Sequence, residues 1–139
     1  MKFFEAWRAK GVTVDYRSRW SHRFEGTDRY IFTVWNDVWG PGESETRFNK
    51  VLRRSDFFCA GGDPWINEVP GQLYIQHARE CMAKGIPGEV ITLNGKRRSG
   101  HENSQVESVD IMDQLYWLHV TRVEDDGLIE GFFARKGGR

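Results

Sequence analysis

Residues 114–136 read QLYWLHVTRVEDDGLIEGFFARK, and they give the clearest indication of the fold. Two runs rich in β-branched and aromatic residues, 114–123 and 128–136, flank the acidic segment EDDG at 124–127. Such residues favour strands, whereas a short acidic segment that ends in glycine favours a turn. The stretch therefore predicts an antiparallel β-hairpin in the last third of the chain.

The N-terminal part of the chain carries one helical pattern and one strand pattern. Phe3, Phe4 and Trp7 stand at helical spacing before Gly11, which predicts a short helix. Residues 29–39, RYIFTVWNDVW, alternate in a way that predicts a strand. One face would carry Ile31, Thr33 and Trp35, and the other Phe32, Val34 and Asn36.

The middle of the chain predicts two helices and a strand. Apolar residues in 47–62 recur near a 3.6-residue period before a glycine pair, which predicts a helix over that segment. Residues 71–85 begin as a strand or a helix and end as a helix that stops at a glycine. Residues 87–98, PGEVITLNGKRR, predict a strand that leads into a turn at 94–95, followed by a polar loop over 99–105.

These patterns predict a single α+β domain over residues 1–139. Its sheet is expected to be mostly antiparallel or mixed, with a barrel-like curl as one form it could take, and to carry two or three helices. Residues 1–25, which are rich in arginine and tryptophan, are interpreted as a basic and aromatic N-terminal extension.

Composition limits the class of protein but names no partner. The chain of 139 residues has 20 basic and 20 acidic residues, so its net charge is zero. No apolar run approaches the roughly 20 residues of a membrane span, and the N-terminus lacks the pattern of a signal peptide. Cys59 and Cys81 lie far apart and are expected to be reduced thiols. These features favour a cytoplasmic protein that is not bound to a membrane.

The sequence lacks the motifs of the common catalytic and metal sites. There is no G-x-S-x-G elbow, no S-x-x-K and no glycine-rich phosphate loop. The four histidines, at positions 22, 77, 101 and 119, do not have metal-site spacing, although His77 and Cys81 are four residues apart. We therefore expect no cofactor, no metal and no catalytic residue.

Basic residues cluster beside aromatic ones, as expected of a surface that binds nucleic acid. A helix that begins near Glu45 or Thr46 would also direct N–H groups at a phosphate. Purely structural roles remain open as alternatives, because charge clusters are often only solvated surface and aromatic residues often only fill a core. The residues expected to bind DNA are Trp39, Arg47, Phe48, Asn49, Lys50, Arg53, Arg54, Lys96, Arg97, Arg98 and His101.

The run WGPGESETRFN at 39–49 resembles a segment in the N-terminal domain of McrA-type restriction endonucleases. In those enzymes a tryptophan-glycine-proline-glycine sequence precedes an aromatic-Asn pair. The resemblance extends over residues 28–122, and it provides no counterpart for the first 25 residues. Its anchors are Trp39, Gly40, Pro41, Gly42, Phe48 and Asn49, with weaker agreement at Pro87, Gly88, Glu89 and Thr92.

This resemblance implies a role in type IV restriction, a defence against modified DNA. The domain would read 5-methylcytosine or 5-hydroxymethylcytosine in duplex DNA, by a groove contact or by flipping the base into a pocket. The His-Asn-His nuclease domain of that family is missing, so the chain would be non-catalytic by itself and part of, or partner to, a nuclease. A homodimer is compatible with this role. The residues expected to line a modified-base pocket are Trp35, Trp39, Tyr116 and Trp117.

Three other functions fit the same residues. One is a barrel-like module that binds single-stranded RNA through exposed aromatic rings. Another is a small enzyme without a linear signature that uses His77, Glu80 or His119. The last is a protein-interaction domain with a tryptophan-rich surface.

Overall fold

Two helices and seven strands make up the described part of the chain. The computed structural model describes residues 2–13, 20–35, 47–53, 65–96, 105–111 and 116–135. The α-helices are α1, Phe3–Ala9, and α2, Val69–Lys84, and a short 3-10 helix spans Trp65–Asn67. The strands are β1 (Ser21–Arg23), β2 (Tyr30–Trp35), β3 (Arg47–Arg53), β4 (Glu89–Lys96), β5 (Gln105–Ile111), β6 (Tyr116–Val123) and β7 (Ile129–Arg135). The α+β class expected from the sequence is confirmed.

The first sheet has four strands in the order β1-β2-β4-β5. Strands β2 and β4 are parallel, whereas β1 and β5 pair antiparallel with them, so the sheet is mixed. Every residue of β2 is buried, because α1 covers one face and α2 the other. A strand that is covered on both faces reads as a nearly continuous apolar run, which is what YIFTVW shows.

The second sheet contains the predicted hairpin. Strands β6 and β7 pair antiparallel around the EDDG turn, and β3 pairs antiparallel with the other edge of β7. Alternate residues of β6 and β7 are buried over most of their length, so this sheet has an inner and an outer face. The hairpin prediction is confirmed.

A single bridge joins the two sheets. Gly88 and Leu118 exchange both backbone hydrogen bonds, at N–O distances of 2.8 and 3.0 Å. A Cβ atom at Gly88 would lie 2.6 Å from the ring of Phe32, so only glycine allows the backbone to approach this closely. We call this junction the seam. The described strands curl through it without closing into a barrel.

Two hydrophobic clusters lie on opposite sides of the first sheet. The larger one joins β2, β4 and α2 to the inner face of the second sheet, with Phe32, Tyr74 and Phe133 fully buried. The smaller one packs α1 on the other side of β2 and β4, through Trp7 and Trp35 among others. The helices that close both faces therefore fix the position of the four-stranded sheet.

The structure corrects two secondary-structure predictions. Residues 47–53 form strand β3 and not a helix, because β7 supplies antiparallel backbone partners for them. Residues 54–62 of that predicted helix lie outside the described residues. Asn94 and Gly95 form no turn; they belong to β4, where the pairing with β5 shifts register.

Other predictions agree with the structure where it describes them. The helix at Phe3–Ala9 and the helix that ends before Gly85, a residue with a positive φ of 66°, are both confirmed. Segment 3–12 lies within the predicted N-terminal extension, but it packs on the first sheet through Trp7 and Val12. Residues 14–19, the WGPG sequence and the loop over 99–104 lie outside the described residues.

Candidate nucleic-acid interface

The outer face of the three-stranded sheet carries a group of aromatic and polar side chains. Trp117, His119 and Phe132 are half-buried, and Asn49 is exposed. The register places Asn49 and His119 directly opposite Phe132, on either side of β7. Neighbouring strands lie about 4.8 Å apart, so these side chains form one continuous surface. We call the surface formed by these four residues the outer face.

His119 and Phe132 form a stacked pair at the centre of the outer face. Their ring centroids are 4.7 Å apart and their planes are inclined by only 8°. A second row across the sheet places Trp117 and Arg47 opposite Ala134. Flat rings on the surface of a sheet can stack with a base or with another ring.

The structure brings together part of the predicted DNA-binding set. Asn49 is on the outer face, and Lys50, the next residue of β3, is half-buried opposite Gly131. Arg47, Phe48 and Arg53 are placed as positions of β3, and Lys96 as the last residue of β4. A phosphate site at the start of a helix after Thr46 is excluded, because the described residues that follow form a strand. The remaining members lie outside the described residues: Trp39, Arg54, Arg97, Arg98 and His101.

The four residues of the predicted modified-base pocket differ in burial and in location. Trp35 is 2 % exposed and packs beneath α1, whereas Tyr116 is 8 % exposed and belongs to the larger core. Trp117 is the member that reaches the surface, and Trp39 lies outside the described residues. Burial therefore favours packing roles for Trp35 and Tyr116.

The sequence did not mark Phe132 as a binding residue. It favoured His119 as a core or sheet-face residue of a strand over a pocket-lining or enzymatic one. The signal was present in the hairpin itself. Once 129–135 is taken as a strand, Phe132 and Phe133 must point to opposite faces. Phe133 is fully buried and Phe132 is not, so the second phenylalanine marks the outer face.

A cleft lies beside the outer face, at the seam between the two sheets. It has a volume of about 400 Å³, and Trp117, Ile86, Pro87 and Tyr30 form its more apolar walls. Trp117 thus belongs both to the outer face and to this cleft. We call it the seam cleft.

Glu89 is the buried charged group of the seam cleft. It is 7 % exposed, and its carboxylate accepts from Lys10 at 3.3 Å and from Arg29 at 2.5 and 3.3 Å. Lys10 is itself buried, whereas the side chain of Arg29 is 43 % exposed and packs its guanidinium 4.3 Å from the ring of Phe24. The ion pairs therefore hold a carboxylate at a fixed position at the base of the cleft.

A separate polar cluster ties β1 and β2 to α2. Arg23 donates to both oxygens of Glu80 at 2.7 and 2.8 Å, and the hydroxyl of Tyr30 donates to the same carboxylate at 2.5 Å. Gln76 adds a third donor at 3.0 Å. Burial acts to raise the pKa of Glu80, but the hydrogen bonds outweigh it and lower that pKa to about 2. Burial and the contact with Glu80 raise the pKa of Tyr30.

His77 is another residue of the enzymatic alternative, and it contacts Ser21. It is 6 % exposed, and its Nδ1 lies 2.7 Å from the hydroxyl of the buried Ser21. Burial raises the pKa of the nearby Cys81 thiol to about 12, so this thiol is protonated at neutral pH. Cys81 is a free cysteine, and Cys59 lies outside the described residues.

The described residues also bear on a metal site and on a membrane span. The described residues contain no group of three or more histidine, cysteine and acidic side chains that could hold a metal ion. In the same part of the chain, no helix is both long and apolar enough to cross a membrane. Compared with known proteins, the chain matches no family model, no curated protein and no solved structure.

Proposed function

We propose that this protein is a DNA-binding domain that reads a methylated base, 5-methylcytosine or 5-hydroxymethylcytosine, in duplex DNA. The observation that supports the proposal is the outer face, where the stacked pair His119–Phe132 lies beside Trp117 and the exposed Asn49. The WGPG segment resembles modified-cytosine readers. This resemblance is the reason for naming modified cytosine as the base and restriction as the biological context. In that setting the domain acts in the cytoplasm, is not catalytic by itself, and belongs to or assists a restriction nuclease.

The chemistry of the outer face suits duplex recognition. A sheet can enter a groove of DNA and present alternate side chains to the base edges. An amide side chain such as that of Asn49 pairs with base edges, and an apolar ring can sense a methyl group in the major groove. The arginines of β3, Arg47 and Arg53, are proposed to contact phosphates, which set the register of a protein on the duplex.

A second candidate is a module that binds single-stranded nucleic acid. The stacked geometry of His119 and Phe132 favours it, because unpaired bases stack readily on flat rings of a sheet surface. In that case the outer face would prefer a strand whose bases are free over a duplex whose bases are already stacked.

A competition experiment separates the two candidates. A fluorescent duplex that carries one 5-methylcytosine is bound to the protein, and unlabelled duplex, single-stranded DNA or single-stranded RNA of the same sequence is added. If the proposal is correct, the methylated duplex competes best and the unmethylated duplex competes less well. Better competition by either single strand favours the second candidate, and no binding at low salt favours a protein-interaction surface.

A further inference from the structure

The seam cleft has the composition of a site for a flat, polar-edged ligand. Its walls are formed by the rings of Trp117 and Tyr30 together with Ile86 and Pro87. Its charged groups are the buried Glu89, Arg29 and the exposed Asp28. Its volume, about 400 Å³, falls in the range of roughly 300–1,000 Å³ that is typical of small-ligand sites. Pro87 in its wall directly precedes Gly88, which is bridged to Leu118.

We propose that the seam cleft receives a cytosine base that has been turned out of the DNA duplex. This inference rests on the proposed function and adds to it the way in which the base is read. Proteins that extrude a base bind it between aromatic or apolar side chains and contact its pairing edge with polar groups. The seam cleft supplies both kinds of group within one space.

Glu89 is the group that would recognise the pairing edge of cytosine. The exocyclic amino group of cytosine is a donor, and a carboxylate is the side chain that accepts from it. An ionised carboxylate offers about four lone-pair positions, and the donors from the described part of the chain make three contacts with Glu89. Lys10 and Arg29 keep this carboxylate in place.

Trp117 connects the seam cleft to the surface that would hold the duplex. It lines the cleft, and it is also two residues from His119 on the same face of β6. A base that leaves a duplex on the outer face therefore has a short path past Trp117. Arg29 also lines the cleft, with a side chain that is 43 % exposed, and we place it next to the backbone of the extruded nucleotide.

The test uses the energy needed to unpair a base. In one methylated duplex the guanine opposite the target cytosine is replaced by an abasic site, and in a control duplex the abasic site is placed six pairs away. Extrusion is easier for an unpaired base, so wild-type protein should bind the first duplex roughly tenfold more tightly than the fully paired one. The control duplex should bind like the paired one.

Two variants assign this gain to the seam cleft. Trp117→Leu and Glu89→Gln should reduce the gain to about twofold or less. Arg79→Ala serves as the control variant, because Arg79 lies on α2 in an exposed ion pair with Asp125 and should keep the full gain. Thermal unfolding of each variant shows whether it is folded; if Glu89→Gln is not, Trp117→Leu decides.

The outcomes separate the two claims. A preference for methylated duplex without any gain from the abasic site leaves the proposed function in place and overturns the cleft as a base site. A gain that persists in Trp117→Leu also overturns it. If the protein binds none of the duplexes, the proposed function fails and the inference fails with it.

Discussion

At the scale of single residues, Glu80 shows how a carboxylate stabilises this fold. Its pKa is lowered to about 2 from an ordinary value of 4.5, since Arg23, Tyr30 and Gln76 all donate to it and outweigh its burial. A group whose pKa is depressed by folding contributes stability above its unfolded value and loses it as the pH falls. The contribution of Glu80 is therefore complete at neutral pH and is lost between about pH 4.5 and pH 2.

Glu80→Gln should test this contribution. The variant should lower the free energy of unfolding at pH 7 by about 1–3 kcal/mol, because it removes a charge-assisted set of hydrogen bonds. Urea denaturation at pH 7 and pH 3 should show the difference between wild type and variant shrinking at the lower pH. Glu5→Gln, at an exposed position of α1, is the control and should change little. A difference that stays constant with pH would contradict the account.

Gly88 is the residue on which the seam depends. A methyl group added there would meet the ring of Phe32 at 2.6 Å, and Phe32 is fully buried. Gly88→Ala should therefore destabilise the protein by about 1–3 kcal/mol, as overpacking of a core does. Hydrogen exchange at the amides of Gly88 and Leu118 should speed up by more than the global change explains. Unchanged exchange at both amides would show that the bridge tolerates the side chain.

At the scale of the elements, two adjacent residues of β7 have different expected roles: Phe133 packs in the core, and Phe132 is proposed to bind DNA. Phe133→Ala should destabilise the protein by about 3–5 kcal/mol, because it removes a fully buried ring. Phe132→Ala should cost less stability, since Phe132 is half-buried on the outer face. It should instead weaken DNA binding by about 1–3 kcal/mol, through the lost stacking surface.

Calorimetry measures the stability of the two variants, and DNA titration measures their affinity. The two effects should fall on different residues, stability on Phe133 and affinity on Phe132. If Phe132→Ala leaves DNA affinity unchanged while the protein stays folded, the outer face is not the interface.

The elements also show what the sequence could and could not predict. The β6–β7 hairpin was predictable because its strands are adjacent in the chain and its turn is marked by EDDG. Strand β3 was not, because Phe48, Val51 and Leu52 fit a helical period over a short run and the partner strand lies about eighty residues further on. Short apolar runs leave the choice of helix or strand to tertiary contacts, and here β7 decides it.

The same limit applies to the candidate site. Asn49, Lys50 and Trp117 were chosen from the sequence, and the structure places Asn49 and Trp117 on the outer face. The stacked pair His119–Phe132 could have been read from the alternation of the predicted hairpin. The cleft that contains Glu89 could not, because it forms where segments distant in the sequence meet at the seam. Contacts such as that between Lys10 and Glu89, 79 residues apart, leave no trace in local patterns.

At the scale of the whole molecule, the coverage of the two sheets determines where a ligand can bind. Both faces of the first sheet are covered, by α1 and by α2. The second sheet packs its inner face against the core, and its outer face keeps half-buried rings and the exposed Asn49. The seam cleft lies beside the outer face, at the junction of the two sheets. At this scale we propose that the outer face, together with the seam cleft at its edge, binds DNA.

The measurement that tests this account most directly is the affinity for one duplex in two forms, with and without a single 5-methylcytosine, at several salt concentrations. The account predicts that the methylated form binds more tightly at every salt concentration. Both affinities should fall together as salt rises, because the phosphate contacts are shared. Equal affinities for the two forms across the whole range of salt would contradict base reading, whatever the affinity is.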